Sequence, residues 1–331
     1  MNNRVVDAED NGDDLETFVQ SIRPKSFADV VGREVEKKNL RVIIDAAKKR
    51  GDAVDHILLH GPPGLGKTSL ANVISNEVGT ELYSTSGAAI DKKGDLASIL
   101  TNIEENGILF IDEIHRLHKS IEEMLYSAME DRQIDIIIGK GPSARTLKLE
   151  LNPFTIIGAT TKVALLSSPL RDRFGMDLRL DYYSYPEMQS LIEQKAKLLS
   201  VGIESDAARE IARRSRRTPR IAVRILKRIR DLAQVQNQDL ITHQLALEGL
   251  DMINVDRNGL DYLDKKILNT IINNFDGGPV GINTLAAALT EDINTIQDVY
   301  EPFLLKEGFI MRTPRGRVVT EKALKYFSLT S

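Results

Sequence analysis

A glycine-rich run that ends in lysine, threonine and serine carries the clearest chemistry in the sequence. Residues 60–69 read His-Gly-Pro-Pro-Gly-Leu-Gly-Lys-Thr-Ser, which fits the phosphate-loop pattern G-x-x-x-x-G-K-[ST] at every fixed position. Glycines at 61, 64 and 66 let backbone N–H groups turn inward around an oxyanion. Lys67 is then placed to reach the β- and γ-phosphates, and the Thr68 hydroxyl to bind Mg²⁺. We therefore predict a cofactor-binding site at Gly61, Gly64, Gly66, Lys67 and Thr68.

A pair of carboxylates supplies a second half for this site. The apolar run from Gly107 to Ile111 predicts a buried strand, and Asp112 and Glu113 follow it directly. Acids at the carboxyl end of a buried parallel strand face the crevice where ligands of open α/β sheets bind. We expect Asp112 to hold Mg²⁺, directly or through water, and Glu113 to polarise the water that attacks the γ-phosphate.

The surrounding sequence alternates between strand and helix patterns. Ile57–Leu59 predicts a strand and 69–77 a helix, so the glycine-rich loop has the strand–loop–helix context that it needs. The alternation continues through Leu82–Ser86, Asp95–Ile103, Ile108–Ile111, Ile121–Met129 and Phe154–Ile157, and Asp177–Tyr183 closes the sheet. Such alternation predicts a parallel sheet with helices on both faces, an α/β fold.

Two further groups are expected to complete the hydrolytic site. The strand from Phe154 should lie beside the Asp112 strand and bring Thr160 or Thr161 near the γ-phosphate, to orient water or sense phosphate loss. Downstream, Arg171 and Arg173 share a short element, and arginine forks onto phosphate oxygens that gain charge in the transition state. The alternative for these arginines is a surface ion pair with Asp172.

A hairpin interrupts the alternation. Ile134–Ile138 and Thr146–Leu151 are strand-like and flank a turn whose tip carries Lys140 and Arg145. The sequence leaves two interpretations equally open: a protruding docking surface, or a plain extension of the sheet edge.

Composition limits the class of protein. The chain has 331 residues, a net charge of −4, 42% hydrophobic and 28% charged residues, and no cysteine. This length allows two or three domains, and the lack of cysteine excludes disulfides and thiolate metal sites. The acidic N-terminus does not resemble a signal peptide, and no apolar stretch reaches bilayer length, so we expect a cytoplasmic protein with no membrane contact. Any contact with nucleic acid must come from local basic patches.

The pattern predicts several domains along the chain. Residues 1–20 form an acidic arm, 21–183 the large ATPase domain with the hairpin insertion at 134–151, 184–255 a small helical lid, and 256–331 a third domain. At the entry to the ATPase domain, Ile22 and Arg23 either pack on the adenine and ribose or are a simple lead-in. In the lid, predicted to be helical throughout, Arg220 follows Pro219 at a helix start and is a candidate to reach the phosphates.

The third domain has the pattern of a winged helix. Helical patterns at Leu260–Phe275, Ile282–Leu289 and Ile296–Leu305 precede two β-prone stretches around Pro314-Arg315-Gly316. Arginines at 312, 315 and 317 would lie on the wing and neutralise DNA phosphates without reading bases. A winged helix can also bind protein, so spacing alone does not decide between the two.

With these elements in place, the sequence resembles the RuvB family, the bacterial Holliday-junction branch-migration motors among the AAA+ ATPases. The resemblance runs from about Ile22 to the C-terminus. It rests on residues 22–25, 61–69, 85–87, 109–117, 158–161, 168–174, 218–222, 277–281 and 312–317. It implies an AAA+ P-loop domain followed by an all-α lid and a C-terminal winged helix.

The resemblance also implies roles for individual residues. Those assigned to ATP and Mg²⁺ are Ile22 and Arg23 at the base, Gly64, Lys67, Thr68 and Ser69 at the phosphates and metal, Glu130, Asp131 and Arg132 at the nucleotide or a subunit boundary, and Tyr183 and Arg220 on the lid side. Arg173 is implied to be the arginine finger given to a neighbouring subunit. Arg312 and Arg317 would touch DNA. AAA+ proteins often carry asparagine at the sensor position; here Thr160 or Thr161 must serve.

The partners implied by the family are double-stranded DNA at four-way junctions, RuvA bound through the hairpin at 134–151, further copies in a hexameric ring, and RuvC resolvase in a larger complex. Two alternatives come from other classes. A sequence-specific regulator would need a DNA-reading helix, but the candidate near Thr290–Tyr300 carries Glu291, Asp292 and Asp298. A protein remodeller would act on polypeptide, and its ATP turnover would not respond to DNA.

Overall fold

The computed structural model describes residues 22–138 and 145–330, so the predicted acidic arm and the hairpin residue Lys140 lie outside the described residues. The chain divides after Tyr183 into two compact units. Among the described helices, none is both long and apolar enough to cross a bilayer.

The first unit is built on a five-stranded parallel sheet. Its strands are β1 (Ile57–His60), β2 (Leu82–Ser86), β3 (Gly107–Asp112), β6 (Phe154–Thr160) and β7 (Met176–Arg179). Their order across the sheet is β2-β3-β6-β1-β7. β6 therefore lies between the phosphate-loop strand and the acidic strand, with Ile111 paired to Gly158 and His60 to Thr160. The predicted pairing of the Phe154 strand with the Asp112 strand is confirmed.

Helices cover this sheet and follow the predicted alternation. They are α1 (Glu34–Arg50), α2 (Lys67–Val78), α3 (Lys93–Thr101), α4 (Lys119–Asp131) and α5 (Ser168–Arg171), with 3₁₀ turns at Phe27–Asp29, Ile114–Arg116 and Val163–Leu165. The central strands are almost wholly apolar and buried, as parallel strands covered on both faces must be. The predicted α/β class is confirmed.

The inserted hairpin is confirmed as well. β4 (Gln133–Ile138) and β5 (Arg145–Glu150) pair antiparallel, with Ile134 opposite Leu149. Ile134 packs into the core of the unit, whereas most of β5 is exposed. The hairpin is anchored at its base and presents a polar strand to solvent.

The second unit begins with four helices: α6 (Tyr185–Leu198), α7 (Ser205–Arg214), α8 (Pro219–Val235) and α9 (His243–Met252). Their apolar faces form the predicted helical packing. The prediction that this region is entirely helical was wrong, because β8 (Gly202–Ile203) and β9 (Leu240–Ile241) pair in parallel. Pairs this short leave too little periodicity in the sequence to be recognised.

A winged helix follows in the same unit. It contains α10 (Tyr262–Asn274), α11 (Ile282–Leu289), a π-helical stretch at Thr295–Tyr300, α12 (Glu301–Lys306), the hairpin β10 (Ile310–Thr313) and β11 (Gly316–Val319), and α13 (Glu321–Thr330). The single helix predicted over 296–305 is two stretches, and Pro302 in the first turn of α12 lacks the N–H that an unbroken helix needs. The last helix was not predicted.

A buried cluster around Arg216 ties the loop between α7 and α8 to the winged helix within this unit. The Arg216 guanidinium bonds the Gly259 carbonyl at 3.2 Å, Asp261 at 2.8 Å and the fully buried Asp264, and lies 4.6 Å from the Phe303 ring centroid. Burial raises the pKa of Asp264 to about 8 and outweighs the opposing effect of Arg216. Asp264 therefore keeps a proton across the neutral range when folded.

This shift predicts a pH-dependent stability for the second unit. Asp264 has an ordinary pKa of 3.8 and a folded-state pKa of about 8, so its stabilising contribution is complete below the first value and is lost as pH rises to the second. We expect urea-unfolding free energies of the wild type, relative to Asp264→Asn, to fall between about pH 4 and pH 8 and then to level off. A difference between the two proteins that does not vary with pH would contradict the assignment.

Candidate nucleotide site and candidate DNA-binding wing

The phosphate loop joins β1 to α2 as predicted. Lys67 starts the helix and is buried, and its Nζ donates to the carbonyls of Gly61 at 2.9 Å and Pro62 at 3.0 Å. Burial lowers the pKa of Lys67, while the nearby carboxylates of Glu113 and Asp112 act in the opposite direction. Thr68 and Ser69 lie in the first turn of α2, where the positive end of the helix favours an anion. The lysine thus occupies the loop that phosphates would enter.

Gly61 fixes the loop against the sheet. Its φ of +141° is a backbone conformation that side chains rarely adopt, and a Cβ there would collide with the Leu180 carbonyl oxygen. Its N–H donates to the Thr160 carbonyl at 3.2 Å. The start of the loop is therefore held by the two strands that flank β1.

The acidic pair stands where β3 ends. Asp112 Oδ1 accepts the Glu113 N–H at 2.9 Å, and Glu113 has a left-handed backbone with φ of +47°. The Glu113 carbonyl approaches Gly87 so closely that a Cβ at 87 would be 2.5 Å from the Glu113 oxygen. Both carboxylates are half-buried and lie close enough to influence the Lys67 ammonium, so the acidic pair and the phosphate loop share one site.

The two threonines at the end of β6 have different surroundings. Thr161 Oγ1 donates to Glu113 Oε2 at 3.1 Å. Thr160 is fully buried, and its hydroxyl lies 2.9 Å from His115 Nδ1 and accepts the Lys162 N–H. Thr161 is therefore the threonine in direct contact with the Glu113 carboxylate.

The donor set fits a magnesium ion shared with a nucleotide. Mg²⁺ prefers hard oxygen ligands and is commonly held by one or two protein groups together with substrate phosphates. Thr68 and Asp112 supply a hydroxyl and a carboxylate of this kind. Among residues 22–138 and 145–330 there is no group of three histidine, cysteine or acidic side chains that would bind a metal by itself.

The predicted base-side residues lie in the same unit. Ile22 is buried at 4% exposure and Arg23 is half-buried. Tyr183 is also buried, and its hydroxyl accepts from Arg33 Nε at 3.1 Å. Arg33 further donates to the Leu65 and Asp181 carbonyls, so it joins the phosphate loop to the end of this unit. Arg220 belongs to the second unit, exposed in the first turn of α8.

Arg173, the candidate arginine finger, is bonded to residues of its own chain. Arg173 Nη2 donates to Glu130 Oε2 at 2.6 Å and Nη1 to the Pro169 carbonyl at 2.8 Å, and its guanidinium lies 4.8 Å from the Tyr126 ring centroid. Its acidic partner is thus Glu130 rather than Asp172. Asp131 and Arg132 are exposed beside it at the end of α4, and Arg132 reaches Asp52 at 3.3 Å.

Two of the three predicted wing arginines are paired with a buried carboxylate. Glu301, only 2% exposed, accepts two hydrogen bonds from Arg312, at 2.7 and 2.8 Å, and two from Arg317, at 2.9 and 3.0 Å. Burial would raise the pKa of Glu301, but the arginine hydrogen bonds outweigh it and hold the pKa below its usual range. The Arg317 side chain is 14% exposed, against 52% for Arg312, and Arg315 is exposed at the turn.

Three of these residues were not found from the sequence. Arg33, His115 and Glu301 each make polar contacts that depend on chain segments meeting in the fold. His115 could have been predicted, because it lies two positions after Glu113. Nothing in the sequence near Arg33 or Glu301 indicates the contacts that they make.

Comparisons with known proteins agree on one family. Family models described as the Holliday junction DNA helicase RuvB P-loop domain, the RuvB AAA lid domain and the RuvB C-terminal winged helix domain match residues 22–180, 183–256 and 257–328. A Thermotoga maritima RuvB structure, described as a Holliday junction branch migration motor, is 50% identical with a TM-score of 0.85, covering 93% of this chain and 99% of that one. An arginine-to-alanine variant of that protein matches with 50% identity and a TM-score of 0.84, covering 93% and 98%.

The fold and the site together define a P-loop ATPase of the AAA+ class, with a lid and a C-terminal winged helix. Half of the aligned residues are identical to RuvB over nearly the whole of both chains. The chain belongs to the RuvB family, and the resemblance drawn from the sequence is confirmed.

The close approach of Gly87 to Glu113 can be tested directly. We expect Gly87→Ala to push the Glu113 backbone away and lower the ATPase kcat by on the order of 10²-fold, the cost of a shift of about 1 Å in a reacting group. Fluorescent ATP analogues should still bind, because the phosphate loop is unchanged. Gly94→Ala in α3, where a Cβ meets nothing within 4 Å, is the matched control and should keep full activity. Wild-type kcat in Gly87→Ala would contradict this placement.

Proposed function

We propose that this chain is an ATP-hydrolysing ring motor that moves double-stranded DNA to drive Holliday-junction branch migration in recombination and DNA repair. The observation that supports this best is that one chain combines a phosphate loop, a water-polarising glutamate beside it and a wing rich in arginine, in a family of branch-migration motors. We propose that the protein works in the cytoplasm, on DNA there.

The chemistry follows from the site. Lys67 leaves the loop carbonyls that it now bonds and moves to the β- and γ-phosphates, with loop N–H groups around them. Mg²⁺, held by Thr68 and Asp112, would neutralise charge that develops on the phosphate oxygens. Glu113 polarises the attacking water, and Thr161 orients Glu113 and serves as the sensor. Ile22, Arg23 and Tyr183 are proposed to lie around the base, and Arg220 stays a candidate phosphate contact from the family resemblance.

A second subunit would complete each site. Arg173 is bonded to Glu130 within its own chain and is exposed enough to exchange that partner for a neighbour's γ-phosphate. A guanidinium is suited to the exchange, because it stays charged and forks onto phosphate oxygens. Completion in trans favours a closed ring, because in a closed ring every site receives a finger from a neighbour. The family resemblance suggests that this ring is a hexamer.

The remaining partners are those that the family resemblance implies, and exposed elements of this chain are candidates to bind them. The β4–β5 hairpin, exposed along β5, is proposed to dock RuvA, which would bring the motor to the four-way junction. RuvC resolvase would join the larger complex. The wing is proposed to follow the DNA backbone through Arg312 and Arg315, with Arg317 and Glu301 holding the hairpin in shape.

Mixing experiments test completion in trans. We expect Arg173→Ala protein to bind ATP but to hydrolyse it on the order of 10³-fold more slowly, the usual cost of losing a finger. Mixed with Lys67→Ala subunits, which keep their finger but cannot use ATP, it should regain turnover. Arg209→Ala, which removes an exposed arginine paired with Asp206 at 2.9 Å and assigned to no site, is the control. Failure of every mixture to exceed the two separate activities would contradict a shared site.

The wing makes a separate prediction about salt. Binding to duplex DNA should be tolerant of sequence and weaken steeply with salt, and Arg312→Ala or Arg315→Ala should each reduce the slope of log K against log salt by about 1. Arg317→Ala should mainly lower the thermal stability of the second unit, because it leaves the buried Glu301 short of a partner. Fluorescence anisotropy at several salt concentrations measures the slopes, and equal slopes for all four proteins would exclude a phosphate-binding wing.

A further inference from the structure

A chain of polar contacts runs from the phosphate loop to Glu113 through Thr160 and His115. The Gly61 N–H donates to the Thr160 carbonyl at 3.2 Å, and the Thr160 hydroxyl lies 2.9 Å from His115 Nδ1. The same Nδ1 lies 3.3 Å from Glu113 Oε2. The residue that begins the loop and the carboxylate that polarises water are thereby connected through two buried side chains.

The protonation of the imidazole follows from its neighbours. A carboxylate only accepts hydrogen bonds, so an Nδ1 that holds Glu113 must carry the proton. The Thr160 oxygen already accepts the Lys162 N–H at 2.9 Å and can share the Nδ1 proton as a second acceptor. In the tautomer with the proton on Nδ1, His115 can donate to either oxygen, at 2.9 Å for Thr160 and 3.3 Å for Glu113.

His115 and Glu113 differ in how far their side chains are exposed to solvent. The His115 side chain is 8% exposed, whereas that of Glu113 is 33% exposed. Solvent reaches the carboxylate, while the imidazole lies behind it, against the fully buried Thr160. Thr161 holds the same carboxylate with its own hydroxyl, 3.1 Å from Oε2. Glu113 is thus held by a histidine and a threonine and left open to water.

We propose that His115 is a positioning residue, which aligns the Glu113 carboxylate for water activation and ties its position to the phosphate loop through Thr160. The inference rests on the proposed function, since it concerns the same hydrolytic site. It divides the work of the two threonines: Thr161 contacts Glu113 directly, and Thr160 connects the loop to His115. A shift of the loop when phosphate enters or leaves then reaches Glu113 through these contacts.

The test uses His115→Leu and His115→Asn in the full chain. Leucine fills the space without a donor, and we expect kcat for ATP to fall by about tenfold or more, the effect of one lost hydrogen bond to a charged group. KM and the affinity for a fluorescent ATP analogue should stay within about twofold, because no phosphate contact is removed. Asparagine places an amide N–H near the position of Nδ1, and His115→Asn should recover most of kcat.

A double variant separates positioning from a general structural role. If His115 acts only through Glu113, then His115→Leu added to Glu113→Gln should lower kcat no further than Glu113→Gln alone. Multiplying effects, no recovery by asparagine, or wild-type kcat in His115→Leu would each overturn the inference. Failure of the proposed function gives a different result, because Glu113→Gln would then hydrolyse ATP as fast as the wild type.

Discussion

The position of β6 between β1 and β3 is the constraint on which the hydrolytic site depends. The phosphate loop leaves β1, the acidic pair leaves β3, and the strand between them supplies both threonines and the carbonyl that holds Gly61. Because all of these strands are parallel, their carboxyl ends meet at one edge of the sheet, where ligands of α/β folds bind. The spacing of cation, carboxylate and hydroxyl is therefore set by backbone pairing.

Two buried acidic side chains fix the local geometry of the second unit. Asp264 and Glu301 are nearly inaccessible to solvent, and each is bonded by arginine: Asp264 by Arg216, between α7 and α8, and Glu301 by one arginine from each wing strand. Removing one arginine from Glu301, whose pKa is held below its usual range, leaves a buried charge short of a partner, so these contacts fix the geometry strongly. The wing hairpin is held by Glu301 through Arg312 and Arg317, and Arg315 at the turn stays exposed.

The sequence predicted the parts whose chemistry is local. The phosphate loop, the acidic pair, the alternating sheet and the wing hairpin depend on spacing within a short segment, and each is present. Arg33 and Tyr183 are 150 positions apart, and nothing in either segment indicates that they meet. Likewise, Arg312 and Arg317 were expected to be available to DNA, but the buried Glu301 that binds them both is visible only once the strands are folded against α12.

The most direct test of the whole account is the ATP-dependent dissociation of a synthetic four-way junction by the purified chain together with RuvA. The account predicts that wild-type protein converts the junction to duplex products, whereas Glu113→Gln protein binds ATP and DNA but leaves the junction intact. Dissociation by Glu113→Gln at the wild-type rate would contradict it. So would a wild-type protein that hydrolyses ATP rapidly on junction DNA without moving the branch point.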